Sequence, residues 1–164
     1  MGFKYDVVAV GGTFDFFHKG HIQLLSKCFE IGKTVIIGIT SDNLAKGKNH
    51  QVLPLEERKK SLISFLKNNG LLNRTRIIIL EDSYGPTISS KNISAIVVSE
   101  ETMIRAIEIN KIRKSRNLSP LDILVISMIK DRDKRPFSST KLRRDERNFI
   151  KFLESNQSYN FIKS

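Results

Sequence analysis

The sequence contains no tryptophan and a single cysteine, Cys28, among its 164 residues. One thiol cannot form an internal disulfide, nor can it supply the paired cysteines of a structural zinc site. Cys28 falls in an apolar helical stripe and reads as a small core residue, suited to a reducing compartment. Repeats, low-complexity tracts and linker-like stretches are also missing, so nothing divides the chain. No apolar run approaches the roughly 20 residues that cross a bilayer. The first ten residues lack the charged region and long apolar stretch of an export signal, and Asp6 stands where a myristoylation motif takes Ser or Thr. The expectation is a soluble, cytoplasmic protein with no membrane partner.

Acidic residues are scarce: 17 Asp and Glu stand against 28 Lys and Arg, a formal net charge of +11. Such an excess favours anionic partners, either nucleic acid or small phosphorylated compounds. The basic residues are spread along the chain, and Asp131, Asp133, Asp145 and Glu146 interrupt them near the C-terminus. Aromatic and basic residues do not interleave as in proteins that stack single-stranded bases. Phosphorylated small molecules are therefore the expected partners, and nucleic acid is not. With 40% hydrophobic and 27% charged residues, the composition is that of one globular domain over 1–164. The polar residues 155–164 are expected to fray.

What is present alternates. Residues 5–10 (YDVVAV), 34–40 (TVIIGIT), 76–80 (RIIIL), 94–99 (SAIVVS) and 121–129 (LDILVISMI) are short, mostly unbroken apolar runs, the pattern of strands covered on both faces. Between them lie helical patterns. Leu24, Leu25, Cys28 and Phe29 lie at helical spacing before Gly32, read as a helix cap. Pro54 opens a helix with Leu55, Leu62, Ile63 and Leu66. Met103, Ile104, Ile107 and Ile112 mark another over about 102–115, and Leu142, Phe149, Ile150 and Leu153 a last one over about 139–153. Strand and helix in alternation predict an α/β fold, a doubly wound five-stranded parallel sheet. Ligands of such sheets bind beyond the carboxyl ends of the strands.

The first such end carries the chemistry. Residues 11–21 (GGTFDFFHKGH) follow a strand and open a helix, the context in which exposed N–H groups and the helix dipole hold a phosphate. The turn is neither G-x-G-x-x-G nor a Walker A sequence. His18 and His21 are three apart, so their rings can face one way, and Gly20 between them clears space for a ligand. Two surface histidines or a metal pair are the rival readings. No cysteine or carboxylate cluster completes a metal set, so phosphate is preferred.

Gly12, Thr13, Phe14 and Asp15, followed by His18-Lys19-Gly20-His21, resemble the T/HxGH signature of the cytidylyltransferase-like nucleotidyltransferases. The similarity continues through residues 40–42, 57–58, 82–87 (DSYGPT), 98–102 (VSEET), 109–113 and 138–143. There the chain resembles the archaeal and eukaryotic phosphopantetheine adenylyltransferase family, with VVSEET the most specific stretch. The resemblance implies a Rossmann-like fold and adenylyl transfer from ATP to 4′-phosphopantetheine, with Mg²⁺ accompanying ATP. By the same resemblance His18 and His21 hold the triphosphate and Lys46 joins the two phosphates, these three forming the catalytic set. Lys48, two residues on, can exchange roles with Lys46. ATP would be bound by Gly12, Thr13, Phe14, Glu100, Ser138, Ser139, Thr140 and Lys141. The acceptor would be bound by Thr13, Asp15, Arg58, Asn110 and Arg113, with Asp15 either orienting the turn or helping to place magnesium. The 137–143 stretch departs from the family's ISSTRIR form, with Phe137 first and Lys141-Leu142 for Arg-Ile.

Residue by residue, plainer readings stand beside these. Arg58 follows Leu55 by three and precedes Leu62 by four, so it either turns its guanidinium to a phosphate or covers the apolar stripe with its stem. Thr102 and 138–140 suit helix capping as well as ligand binding. Two rivals stand at the level of the whole protein. One is a sister nucleotidyltransferase acting on glycerol phosphate or FMN; the other is a non-catalytic nucleotide- or nucleic-acid-binding module. Nothing in the sequence specifies an oligomeric state.

Overall fold

The apolar runs form strands and the periodic segments form helices. The computed structural model describes residues 2–127. In chain order these are β1 (Tyr5–Gly12), α1 (Lys19–Ile31), β2 (Gly32–Thr40), the one-turn helix α2 (Asp42–Ala45), α3 (Leu55–Asn68), β3 (Thr75–Leu80), β4 (Ala95–Ser99), α4 (Met103–Ser115) and β5 (Asp122–Ile126). Short 3-10 segments cover Leu72–Arg74, Gly85–Ile88 and Glu100–Thr102. The helix expected near 139–153 and the tail 155–164 lie outside the described residues.

The five strands form one sheet in the order β3-β2-β1-β4-β5, and every pairing is parallel. Side chains alternate between the faces of a strand, and both faces are covered. Val8, Val10, Val35, Ile37, Ala95 and Val97 belong to a core completed by Ile22, Leu25 and Phe29 of α1 and Leu62 and Leu66 of α3. Ala9, Ile96 and Val98 pack on the other side with Ala106 and Ile109 of α4. Two-sided burial is why the strands read as unbroken apolar runs. The strand order reverses between β1 and β4, so the glycine turn after β1 stands at the switch point of the sheet.

Gly32 caps α1 as expected, its N–H donating to the Cys28 carbonyl, but in an extended rather than left-handed conformation, with φ −111° and ψ 134°, because it also begins β2. Glycine is needed there for space, since a Cβ would stand 2.6 Å from Val8 Cγ2 and 3.0 Å from the Cys28 carbonyl oxygen. The helix expected over about 102–115 is α4, and only part of its apolar set is buried. Ala106, Ile109 and Arg113 are buried, whereas Met103, Ile104 and Ile107 are 38%, 67% and 41% exposed. The helix carries apolar residues on two sides, so spacing alone selects no face. Arg113 decides it, because its guanidinium donates to the carbonyls of Ser119, Thr87 and Ser90 and is drawn inward by them.

Candidate active site

After Gly12 the chain turns sharply into α1. Gly12 lies flat against Phe14, whose ring would be 3.2 Å from a Cβ at that position. Phe14 and Phe16 have φ of 53° and 43°, a left-handed conformation costing a bulky residue on the order of 1 kcal/mol or more. Packing offsets that cost at Phe14, which is 1% exposed. Its ring centroid lies 6.4 Å from that of Phe17 and 5.2 Å from that of His21. The turn is thus held in a shape the backbone alone would not choose.

The two histidines cap the helix that follows. His18 is extended, with φ −139° and ψ 179°, and its Nδ1 accepts the Gly20 N–H at 3.1 Å. In return His21 Nδ1 accepts the His18 N–H, also at 3.1 Å. The pair forms a capping box, a device that satisfies orphan N–H groups at a helix start. With both Nδ1 atoms accepting, the ring proton of each neutral imidazole sits on Nε2. The rings stack at 3.7 Å between centroids, which opposes protonating both. Burial pushes the His18 pKa down to about 4. Burial, then the charges of His18 and Lys48, hold His21 well below the ordinary imidazole range. At neutral pH both are neutral Nε2–H donors at a helix N-terminus, fit to bond phosphate oxygens without adding charge.

These shifts carry a stability prediction. An unfolded histidine titrates near 6.5, whereas His18 in the folded protein titrates near 4. The contribution is complete above pH 6.5. It falls as pH drops towards 4, because only the unfolded chain takes up the proton in that window. The upper bound is about 3 kcal/mol for His18 alone. Denaturant midpoints from pH 7.5 to 4 should show the loss. His18→Asn retains a capping acceptor for Gly20 N–H and should reduce the loss to the part that His21 contributes; an unchanged curve would mean that His18 titrates normally.

A cavity of about 320 Å³ opens on the α4 side of the sheet. Its floor is short in side chains: Ala9, Gly11 and Gly38 lie there beside Ile36, Ile96 and Val98. Ile78, Leu80, Tyr84 and Pro86 line it from β3 and the segment after it, and Thr102, Arg105 and Ile109 from around α4. The lining is mostly apolar. Its polar groups include Thr13, Thr40 and Lys48, which stand where the strands end. Lys48 also acts electrostatically on His21, so this one ammonium belongs both to the cavity and to the histidine pair. Tyr84 is fixed by neighbours: Asp82 Oδ1 accepts the N–H groups of Tyr84 and Gly85, and Arg105 lies 5.5 Å over the tyrosine ring.

The remaining expected site residues divide. Gly12, Thr13, Phe14, His18 and His21 come together at the switch point. Lys46 and Lys48 are both exposed; Lys46 Nζ reaches Asn43 Oδ1 at 3.4 Å, whereas Lys48 lines the cavity. Asp15 is 4% exposed. Its Oδ1 accepts the Leu53 N–H at 3.0 Å and its Oδ2 lies 3.8 Å from His50 Nε2, so it orients the turn. Arg58, expected on the acceptor, is 0% exposed and directs its guanidinium at protein carbonyls. Asn110 exchanges two hydrogen bonds with the backbone of Leu121, and Arg113 serves the carbonyls named above. In this conformation none of these three side chains is offered to a ligand, because each satisfies buried backbone. Glu100 stands beyond β4 and accepts from the Ser127 hydroxyl at 2.9 Å. Ser138, Ser139, Thr140 and Lys141 lie outside the described residues. Tyr84, Arg105 and Ile109 went unselected in the sequence reading; Tyr84 and Ile109 were signalled only by membership of stretches that carry the resemblance, and Arg105 by nothing.

Comparison with known proteins fits this geometry. The family described as cytidylyltransferase-like matches residues 9–145. The phosphopantetheine adenylyltransferase of Methanothermobacter thermautotrophicus is 46% identical over 143 residues, 87% of this chain and 86% of that protein. That of Thermococcus kodakarensis is 47% identical over 129 residues, 77% of this chain and 78% of its own. Among solved structures, a protein of unknown function from Archaeoglobus fulgidus superposes with a TM-score of 0.69 at 30% identity, covering 80% of this chain and 98% of that one.

Proposed function

Because the chain belongs to the cytidylyltransferase-like family, within its phosphopantetheine adenylyltransferases, we propose that it transfers the adenylyl group of ATP to 4′-phosphopantetheine, a step of coenzyme A biosynthesis. An oxygen of the acceptor phosphate attacks the α-phosphorus in line. The bond from that phosphorus to its bridging oxygen breaks, and pyrophosphate leaves with dephospho-coenzyme A as the other product. No covalent enzyme intermediate is needed, so the protein's work is to position two anions and stabilise the charge between them.

The observation that carries this reading is the apolar cavity running up to the phosphate turn. Glycerol phosphate is small and polar and would leave such a lining unfilled. A phosphate on a long, weakly polar arm fits: the arm lies over Ala9, Gly11 and Gly38, and its phosphate reaches Thr13 and Lys48. His18 and His21 donate Nε2–H to the triphosphate, with His21 nearest the α/β bridge. Ser138, Ser139, Thr140 and Lys141 complete the hold on ATP. Magnesium enters with ATP as part of the substrate and shields its phosphates. Among the described residues no group of three His, Cys, Asp or Glu could hold a resident ion, and Asp15 is committed to the turn. We place the reaction in the cytoplasm, where ATP is available; among the described residues no helix is long and apolar enough to cross a membrane.

An acceptor panel tests the assignment. With ATP and Mg²⁺, kcat/KM for 4′-phosphopantetheine should exceed that for glycerol 3-phosphate or FMN by about a thousandfold or more, the discrimination that a long matched lining supports. A preference for either of the other acceptors would retain the nucleotidyltransferase and reject this substrate.

A further inference from the structure

The two segments that meet the phosphates, the turn at 13–16 and the loop at 46–54 that carries Lys48, are far apart in sequence, and neither lies within regular secondary structure. A buried guanidinium joins them. Arg58 Nη1 donates to the carbonyl oxygens of Thr13 at 2.9 Å and Thr40 at 2.8 Å. Its Nε donates to the Leu53 carbonyl at 2.7 Å, and Nη2 to Asp42 Oδ1 at 3.0 Å. Asp42 Oδ1 also accepts the Leu55 N–H at 2.8 Å. Leu53 is gripped from the other side, since its N–H donates to Asp15 Oδ1 at 3.0 Å.

The bonds therefore close a ring: Thr13 to Arg58, Arg58 to Leu53, Leu53 to Asp15, and Asp15 back along the chain to Thr13. Phe14, at a φ of 53°, lies inside this ring. A backbone held off its preferred conformation persists only where its surroundings fix it, and this ring fixes the turn from both sides. We infer that Arg58 and Asp15 are positioning residues, a latch that sets the Lys48 loop against the Thr13 turn and so brings the lysine to the transferring phosphate. Arg58 touches no substrate. Its planar fork is what the task requires, because donors must leave in several fixed directions within one plane. A lysine ammonium radiates its donors from one point and cannot close the ring. Within the ring Asp15 acts as a hydrogen-bond acceptor, through the oxygen that meets the Leu53 N–H.

The kinetic consequences rest on the proposed adenylyl transfer; the structural one does not. Arg58→Lys and Asp15→Ala should each lower kcat about 30-fold or more, with KM for the acceptor changed less. Asp15→Asn keeps an oxygen for Leu53 N–H and should stay within about threefold of the parent enzyme. In either latch-broken enzyme, adding Lys48→Ala should cost less than about threefold further, although Lys48→Ala alone costs about a hundredfold, because coupled groups lose their effect together. Amide hydrogen exchange of the free, substrate-less enzyme should show the Leu53 N–H exchanging about tenfold faster in Arg58→Lys. Should the Arg58 variant fail to fold, the Asp15 pair decides the question by the same readouts. Folded latch variants with full kcat, additive losses with Lys48→Ala, or an Asp15→Asn enzyme as weak as Asp15→Ala would overturn the latch. If 4′-phosphopantetheine is not turned over at all while Leu53 exchange behaves as stated, the latch survives and the substrate assignment fails.

Discussion

His21→Ala lowers kcat by about two to three orders of magnitude while the affinity for ATP changes little. That magnitude is typical of removing one preorganised donor from the position where transition-state charge develops. His21 is such a donor. Its Nδ1 is occupied by the His18 N–H, so Nε2–H is the donor left to the ring, which is seated between Phe14, Phe17 and His18. Because burial keeps it neutral through the physiological range, its contribution is a hydrogen bond that strengthens as charge gathers on the α/β bridge. The rate should accordingly show no step from histidine ionisation near pH 6.5. Alanine also removes one half of the capping box, worth about 1 kcal/mol of stability. His21→Gln separates the two effects, since glutamine is a usual partner at that position of a capping box but does not aim a donor at the same point. Both variants should be slow, and only the alanine should be measurably less stable. Retained kcat with collapsed ATP affinity would show that His21 merely binds nucleotide.

Lys48→Ala loses about a hundredfold in kcat/KM, whereas Lys46→Ala stays within about threefold of the parent enzyme. The two lysines are two residues apart, and the resemblance points first to Lys46. Lys46 follows the one-turn helix α2 and turns back on it towards Asn43. Lys48 lines the cavity and is felt by His21. One ammonium placed between an acceptor phosphate and a triphosphate lowers the repulsion between the two anions as they approach. Lys48→Arg should restore only part of the loss, because the bulkier fork does not replace a point charge in a fixed space. Steady-state kinetics on the three variants decides it, and a large loss at Lys46 with none at Lys48 would reverse the assignment.

The sheet was legible because two-sided burial writes itself as continuous apolar runs, and the glycine turn was legible because it follows such a run and opens a helix. α4 was legible as a helix, but its buried face was not. Its apolar residues lie on two sides, and the buried side is fixed by Arg113 reaching carbonyls of residues distant in sequence. Arg58 shows the same limit. Its place in an apolar stripe told of burial, but a buried guanidinium can serve a phosphate or the backbone equally well. Only the positions of Thr13, Thr40 and Leu53 in space show that it serves the backbone. Gly32 was legible as a helix cap, but its second duty, a close contact with Val8, was not. The cavity left no signature at all. It depends on small residues from β1 and β2 lying side by side, a juxtaposition that exists only once the strands are paired.

The central claim is that one site joins the phosphate of 4′-phosphopantetheine to the adenylyl group of ATP. Incubating the protein with both compounds and Mg²⁺, and following the products by mass spectrometry, tests it directly. Dephospho-coenzyme A and pyrophosphate should appear in equal amounts, with no ADP. Absence of dephospho-coenzyme A, with ATP consumed on another acceptor or not at all, would contradict the account.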